Sequence, residues 1–599
     1  MIADICWAIS LCLLLTGCLG ALVIAKTPYR RGRLLTPVYS LLSAVFLSAM
    51  VLFYPIYRLE FGTDLVSTVK SILMSVHTVT RLFLMDVDFE FLSDFTDTAG
   101  NVSDGLVAAY SFLGAVLFVL GPFLTFEFIL SFFKNITAYR RLLLNFRSDL
   151  YVFSELNEQS IALASSIKAE HDRSLIVFTD VHDQEEENSS SLLETARTLN
   201  AVCFRKDISD INWNLRHASR DVYLFTIGTD EAENIEQSVQ LIEQYGQLKN
   251  FRLFIFSSNA ESEILFSTVP SGMRVRRINP VRSLTDHILF NEGEAIFHSA
   301  LDDGKPEKLI SAVLIGLGQH GTEMLKALPW FCQMDGYRVR IHAFDRDPQA
   351  LEAFAVQCPE LMDPAHNGTF ADGEAQYELN IHAGVDVHSP AFEEQIRAIG
   401  QISYVFVALG NDSLNTQTAV TMRMLSERMG IHPYIHTIVY ATSKKQALET
   451  VTDYRGHSYD IHFVGDLQSS YSKETIVDSQ LHQIALQRHL RWGDESSFWA
   501  YEFNFHSSVA AAIHLKMRSV CKMPWAGKTE SELTVQERDA LERLEHRRWN
   551  AYMRSEGYRY SGSADKASRN DLAKLHNNLV PYDQLPDKIK RVDSAVGSD

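Results

Sequence analysis

The sequence predicts a membrane-anchored α/β protein. An α-helical transmembrane domain is followed by two doubly wound Rossmann-like units and a small, mainly α C-terminal domain. Three observations carry this. Apolar residues concentrate before residue 135, in runs long enough to cross a bilayer. From Leu142 to about residue 480, short apolar strands alternate with helical patterns, as parallel doubly wound sheets require. One of these units carries Gly316-x-Gly318-x-x-Gly321 between an apolar run and a helix-like stretch.

The 599 residues allow three or four domains. A net charge of −19, from 55 basic and 74 acidic residues, argues against a nucleic-acid partner, which needs basic surface. The seven cysteines form no CxxC pair, so neither a disulfide framework nor a metal-ligand pattern is visible. The predicted transmembrane domain covers 1–135, with spans at 5–25, 37–56 and 106–133. Leu15-Thr-Gly-Cys18 resembles a lipoprotein cleavage box, but no Lys or Arg precedes it and the apolar run continues to Ala25. Basic residues of Lys26–Arg33 and Lys134–Arg147 belong on the cytoplasmic side, and the acidic stretch 86–104 opposite. The expected location is the cell inner membrane, multi-pass, with a large cytoplasmic C-terminal region.

Between the second and third spans, Leu65, Val69, Ile72, Val76, Val79 and Phe83 recur at helical spacing. That helix could lie at the interface, re-enter the membrane, line a pore, or pack against the spans. No TVGYG-like filter is present.

A first α/β unit is expected over 142–300, with strands 149–154, 174–180, 201–207, 221–226 and 251–256. Its residues at the glycine positions are Ser154, Leu156 and Gln159, so the fingerprint is degenerate. A second unit, 308–480, has further strands at 337–344, 377–383, 404–409, 434–441 and 460–464. Here Gly316 permits the tight turn, Gly318 lets backbone N–H groups approach a pyrophosphate, and Gly321 lets the helix pack closely. Asp345, ending the next strand, is placed to accept from a ribose hydroxyl. Asn411 and Asp412 follow the fourth strand, at the edge where ligands of such sheets bind. No catalytic constellation accompanies them, so an enzyme is not expected.

A pair of Rossmann units behind a membrane domain resembles the RCK/TrkA-N regulatory modules of ion channels and transporters, over about 145–470. The resemblance implies nucleotide-dependent gating by a homo-oligomer, a dimer or tetramer. The region 490–599 opens with a helical lead-in and continues with Glu545-His546, Trp549, Gly557, Tyr560, His576, Pro581-Tyr582 and Lys590. These residues resemble the ryanodine-receptor (RyR) repeat domain, over about 535–595. That resemblance implies a sensor of the kind fused to bacterial nucleotide-linked defence modules. Trp549, Tyr560 and Tyr582 are then candidates to stack on a base, or else core residues of a small domain.

The combined expectation is a ligand-gated membrane effector or channel in antiviral defence, triggered by a nucleotide or dinucleotide. NAD, an ADP-ribose derivative and a cyclic oligonucleotide are all open as the ligand. Two alternatives stand beside it: an RCK-regulated channel or transport subunit gated by NAD or ATP, and a membrane-anchored dinucleotide-dependent enzyme.

Overall fold

Helices Ile2–Lys26, Leu35–Phe61, Leu65–Phe83 and Asp104–Leu144 open the chain in the computed structural model. It describes residues 2–26, 35–84, 86, 104–144, 148–171, 173–181, 187–214, 221–266, 272–370 and 375–597. The first, second and fourth of these helices are long and apolar enough to cross a membrane, through windows Asp4–Ala21, Leu41–Phe61 and Val107–Phe126. The basic loop 27–34 and the acidic segment 87–103, which set the expected orientation, lie outside the described residues.

These helices bury one set of apolar side chains, among them Val45, Leu52, Phe53 and Leu117, and expose another. Ile9, Leu15, Leu19, Leu47, Phe112, Val119 and Phe123 are exposed, whereas Ser10 and Ser48 are fully buried. Each serine hydroxyl donates to the other's carbonyl, at 2.8 and 2.9 Å, so neither serine is stranded. An apolar exterior over small polar contacts suits lipid as the solvent.

The apolar stripe of helix Leu65–Phe83 divides along its length: Leu65, Val69 and Ile72 face outward, whereas Val79 is buried together with Ser71, Ser75, Thr78 and Leu82. The Tyr57 hydroxyl bonds the Thr78 hydroxyl, and the Phe83 ring meets Phe46 at 5.8 Å. A Cβ placed on Gly121 would lie 3.2 Å from Leu82. The helix therefore doubles back along Leu35–Phe61 until its end reaches the middle of two candidate spans. Packing against the spans is the reading this matches.

By packing, the chain divides into one unit of residues 1–156 with 175–220 and another of 157–174 with 221–599. In the first, Asp104–Leu144 is one unbroken helix of 41 residues, about 60 Å long. Near its end Arg141 donates to the carbonyls of Asn200 (2.8 Å) and Ala201 (3.0 Å) and to the Asn200 side chain (2.7 Å). Tyr139 meets Phe204 edge-on at 4.9 Å. The helix is thus fixed to the strand β3, Val202–Cys203.

β3 edges a six-stranded parallel sheet that also contains β1 Leu150–Phe153, β2 Leu175–Phe178, β4 Val222–Thr226, β5 Phe251–Phe256 and β6 Arg274–Ile278. The order is β3-β2-β1-β4-β5-β6. Strand β3 is shorter than the expected 201–207. β6 was not expected, because Arg274, Arg276 and Arg277 hide its apolar alternation.

A second parallel sheet has β7 Lys308–Ile315, β8 Tyr337–Asp345, β9 Tyr377–Ala383, β10 Tyr404–Val407, β11 Tyr434–Ile438 and β12 Ile461–Val464. Its order, β12-β11-β10-β7-β8-β9, repeats the first. Strands β1, β2, β4 and β10 are buried at every residue. Helices on both faces explain why they read as continuous apolar runs.

The C-terminal residues share the second sheet's core. One hydrophobic cluster runs from Leu284 through Leu328, Phe406 and Ile513 to Leu579. Helix Val535–Ser555 packs on helix Gln319–Phe331, with Tyr552 against Trp330 at 6.1 Å. At the same interface Glu545 pairs with both Arg518 and Arg548, all three fully buried. A short parallel pair, β13 Arg559–Tyr560 and β14 Leu575–His576, follows, and helix Asp587–Gly597 closes the domain.

Candidate functional site

The strand order reverses between β7 and β10, and that reversal opens a crevice at the carboxyl ends of the strands. A cleft of about 360 Å³ lies there. Gln319 and His320 line one side, Gly410, Asn411 and Asp412 a second, and Pro280, Val281 and Leu284 give an apolar wall. Glu231 and Ser258, from the carboxyl edge of the first sheet, close the rim.

The three glycines do different work. Gly316 has φ +92°, and a Cβ there would sit 2.5 Å from the Ala408 carbonyl. A Cβ on Gly321 would sit 1.7 Å from the Gly316 carbonyl, so helix and turn cannot approach this closely with any other residue. Gly318 is unlike both: a Cβ added to it meets nothing within 4 Å. The fold tolerates a side chain there, and a ligand pressed against the turn would not.

Gly318 is the N-cap of helix Gln319–Phe331 and supplies no side-chain cap. The first-turn N–H groups have no acceptor within the helix, which makes this end a place for an anion. Asp345 closes the other side of the turn, accepting from the N–H of Leu317 at 2.6 Å and of Asp347 at 2.8 Å. It shapes the glycine turn and is not among the residues that line the cleft. Burial lowers the pKa of His320, whose enclosed Nδ1 has no hydrogen-bond partner. It is a neutral polar group facing the cleft.

Asn411 and Asp412 line the cleft but are also structural. Asn411 caps its helix by accepting from Ser413 and Leu414 N–H groups at 2.9 and 3.1 Å. Asp412 accepts from the N–H groups of Tyr440 (2.8 Å) and Ala441 (3.0 Å), bracing the loop after β11. The first copy repeats this brace, which sequence reading missed. There Glu231 accepts from Ser258 and Asn259 N–H groups at 3.0 and 3.1 Å. Asn234 and Asn415 recur three residues beyond each acid, each tying the strand end to the next strand. The pairs are legible as Glu-x-x-Asn and Asp-x-x-Asn once the strands are aligned.

The loss of the fingerprint in the first copy has a physical counterpart. Asn157 occupies the helix entrance: its Oδ1 accepts from Ser160 N–H at 2.8 Å and its Nδ2 donates to the Ile227 carbonyl at 2.7 Å. That helix end is sealed by its own side chain, where the second copy is open.

Trp549, Tyr560 and Tyr582 lie in the C-terminal domain and do not line the cleft. Trp549 packs between His546 (5.8 Å) and His576 (4.9 Å). The Tyr560 N–H donates to Glu360 at 2.8 Å, and Glu360 also accepts from Arg554, which docks the domain on the second sheet. The Tyr582 hydroxyl bonds Glu542, while Arg543 and Lys590 stand over its ring at 4.6 and 5.0 Å. Among the described residues, no group of three or more His, Cys, Asp or Glu gathers as a metal site.

Fold and cleft together define a class: helices long enough to cross a membrane, joined to paired parallel α/β sheets with one open glycine turn. No protein-family model and no curated protein matches the chain.

Proposed function

We propose that this protein is a ligand-gated membrane effector or channel, whose cytosolic α/β region binds a nucleotide and thereby permeabilises the membrane. The observation that carries the ligand is Gly318, a glycine the fold does not need, at an uncapped helix end beside a cleft. The phosphate lies on the N–H groups of residues 319–321, and the base or second nucleoside lies against Pro280, Val281 and Leu284. Gating requires the ligand to bind two states of the protein unequally. The one-piece helix Asp104–Leu144 supports a mechanical route, because a shift of β3 moves a membrane-crossing segment with it.

The RCK-like reading adds assembly as a homo-oligomer, and the RyR-like reading of the C-terminal domain adds antiviral defence as the setting. Neither places a catalytic group, so the cleft is a sensor and the reaction is a conformational one. The test is dye efflux from liposomes carrying the full chain, challenged with NAD, ADP-ribose forms, ATP and cyclic oligonucleotides. Efflux with one signalling nucleotide supports the effector. Efflux governed by NAD or ATP alone moves the assignment to a metabolically gated channel. Turnover of the added nucleotide would replace both with the enzyme, and silence with every nucleotide ends the proposal.

A further inference from the structure

Strand β6 carries three arginines, and their partners differ. Arg274 pairs with Glu495 at 2.6 Å, and Arg277 makes a forked pair with Glu502. Arg276 has no carboxylate in contact. Its guanidinium stacks over Phe505 at 4.7 Å and Phe254 at 5.7 Å, donates from Nη1 to the Ile476 carbonyl at 3.0 Å, and meets His482 Nδ1 at 3.3 Å. Its Nε is enclosed and bonds nothing. A cation in such surroundings is costly unless something compensates it. Enclosure already pushes its pKa down to about 9.

Arg276 faces a cavity of about 40 Å³, lined also by His482, His506, Ser283, Ser479 and two carboxylates, Asp286 and Glu474. His506 gives Nε2 to Glu502 at 3.2 Å, and its Nδ1 is a second enclosed atom without a partner. Arg276 and the neutral His506 thus both line one small polar space, and each holds an orphaned polar atom beside it. Burial raises the Asp286 carboxyl to about 7 against the pull of Arg282. The volume suits a few waters or one tetrahedral ion and excludes a nucleotide.

We propose that this cavity is a second ligand site, separate from the nucleotide cleft, for a small tetrahedral oxyanion held by Arg276. The oxyanion takes the charge-assisted bond of Nε and, when singly protonated, donates to His506 Nδ1. The site stands against one helix, Pro280–Asn291, whose Pro280, Val281 and Leu284 line the nucleotide cleft and whose Ser283 and Asp286 line this cavity. Occupants of the two sites meet opposite faces of that helix.

The test is equilibrium dialysis of radiolabelled phosphate against the detergent-solubilised full chain, at constant ionic strength in chloride, with sulfate as competitor. One phosphate per chain is expected, displaced by sulfate if any tetrahedral oxyanion serves and retained if the protonated form is needed. Arg276→Met should weaken it by about tenfold or more, the cost of one charge-assisted bond. Gly318→Asp should leave it unchanged, which separates this site from the nucleotide cleft. Should Arg276→Met fail to fold, His506→Phe, which removes the acceptor together with the Nε2 bond to Glu502, serves in its place and should weaken phosphate binding likewise. No bound phosphate or sulfate on the wild type means the cavity holds water alone and overturns the site. Undiminished binding to a folded Arg276→Met moves the anion elsewhere and overturns it equally.

Discussion

Gly318 and Gly321 separate ligand from fold within one turn of helix. Gly321→Ala forces a methyl into the Gly316 carbonyl and should cost about 3 kcal/mol or more, read as a fall in unfolding midpoint. Gly318→Ala meets open space and should stay within about 0.5 kcal/mol of wild type. It should nevertheless weaken nucleotide binding, because the added methyl fills the ligand's place. Equal affinity in Gly318→Ala and wild type would remove the cleft from consideration.

His576 gives a pH signature. The Asn578 N–H donates to its Nδ1 at 3.1 Å, and burial, with Arg569 nearby, pushes its pKa down to about 4. The unfolded chain binds the proton near pH 6.5, so the unfolded state carries more protons between those values. Stability is complete above about pH 6.5 and is lost as pH falls toward 4. His576→Asn should flatten that part of the stability-versus-pH curve, followed by tryptophan fluorescence. An unchanged slope would mean that other buried histidines carry it.

At the scale of elements, the gating proposed above would run through the long helix Asp104–Leu144 and the doubled-back helix Leu65–Phe83. Arg141→Ala removes the fork that ties the first to Asn200 and Ala201. Nucleotide binding should be kept and nucleotide-triggered efflux should fall severalfold. Loss of both together would show that Arg141 serves only folding. The sequence made these helices visible and left open which face of Leu65–Phe83 is inside. Periodicity reports two faces; it does not say which solvent each one meets. Where lipid replaces water, Ser71, Ser75 and Thr78 become the interior and Leu65 and Ile72 the surface. Likewise β7 and β10 stood out because their faces are both buried, whereas β6 was hidden by arginines that find Glu495, Glu502 and a cavity far away in sequence.

Over the whole molecule, the glycine turn and Asp345 were legible because strand, turn, helix and acid are contiguous. The brace of Glu231 on the residues after β5, the seal made by Asn157 and the cavity beside Arg276 were not. Each depends on which strands are neighbours, which local pattern does not encode. Buried Glu545, shared by Arg518 and Arg548, is the clearest such long-range joint. Glu545→Ala removes the buried carboxylate that both guanidinium groups share and should destabilise by about 3–5 kcal/mol. Chemical denaturation of the full chain reads it, and a change under 1 kcal/mol would show that water reaches the pair.

The shared core carries a consequence for how this protein can be cut and recombined. Leu541, Leu544 and Tyr552 lie in the same cluster as Leu325, Leu328 and Trp330, on the helix that begins at the glycine turn. A chain stopped before Val535 would leave that helix with a bare greasy flank some two hundred residues upstream of the break. Its aggregation and clearance would then be mistaken for a missing signal. The C-terminal piece is thus no detachable cartridge to be swapped between proteins: to replace it is to recast the foundations of the cleft.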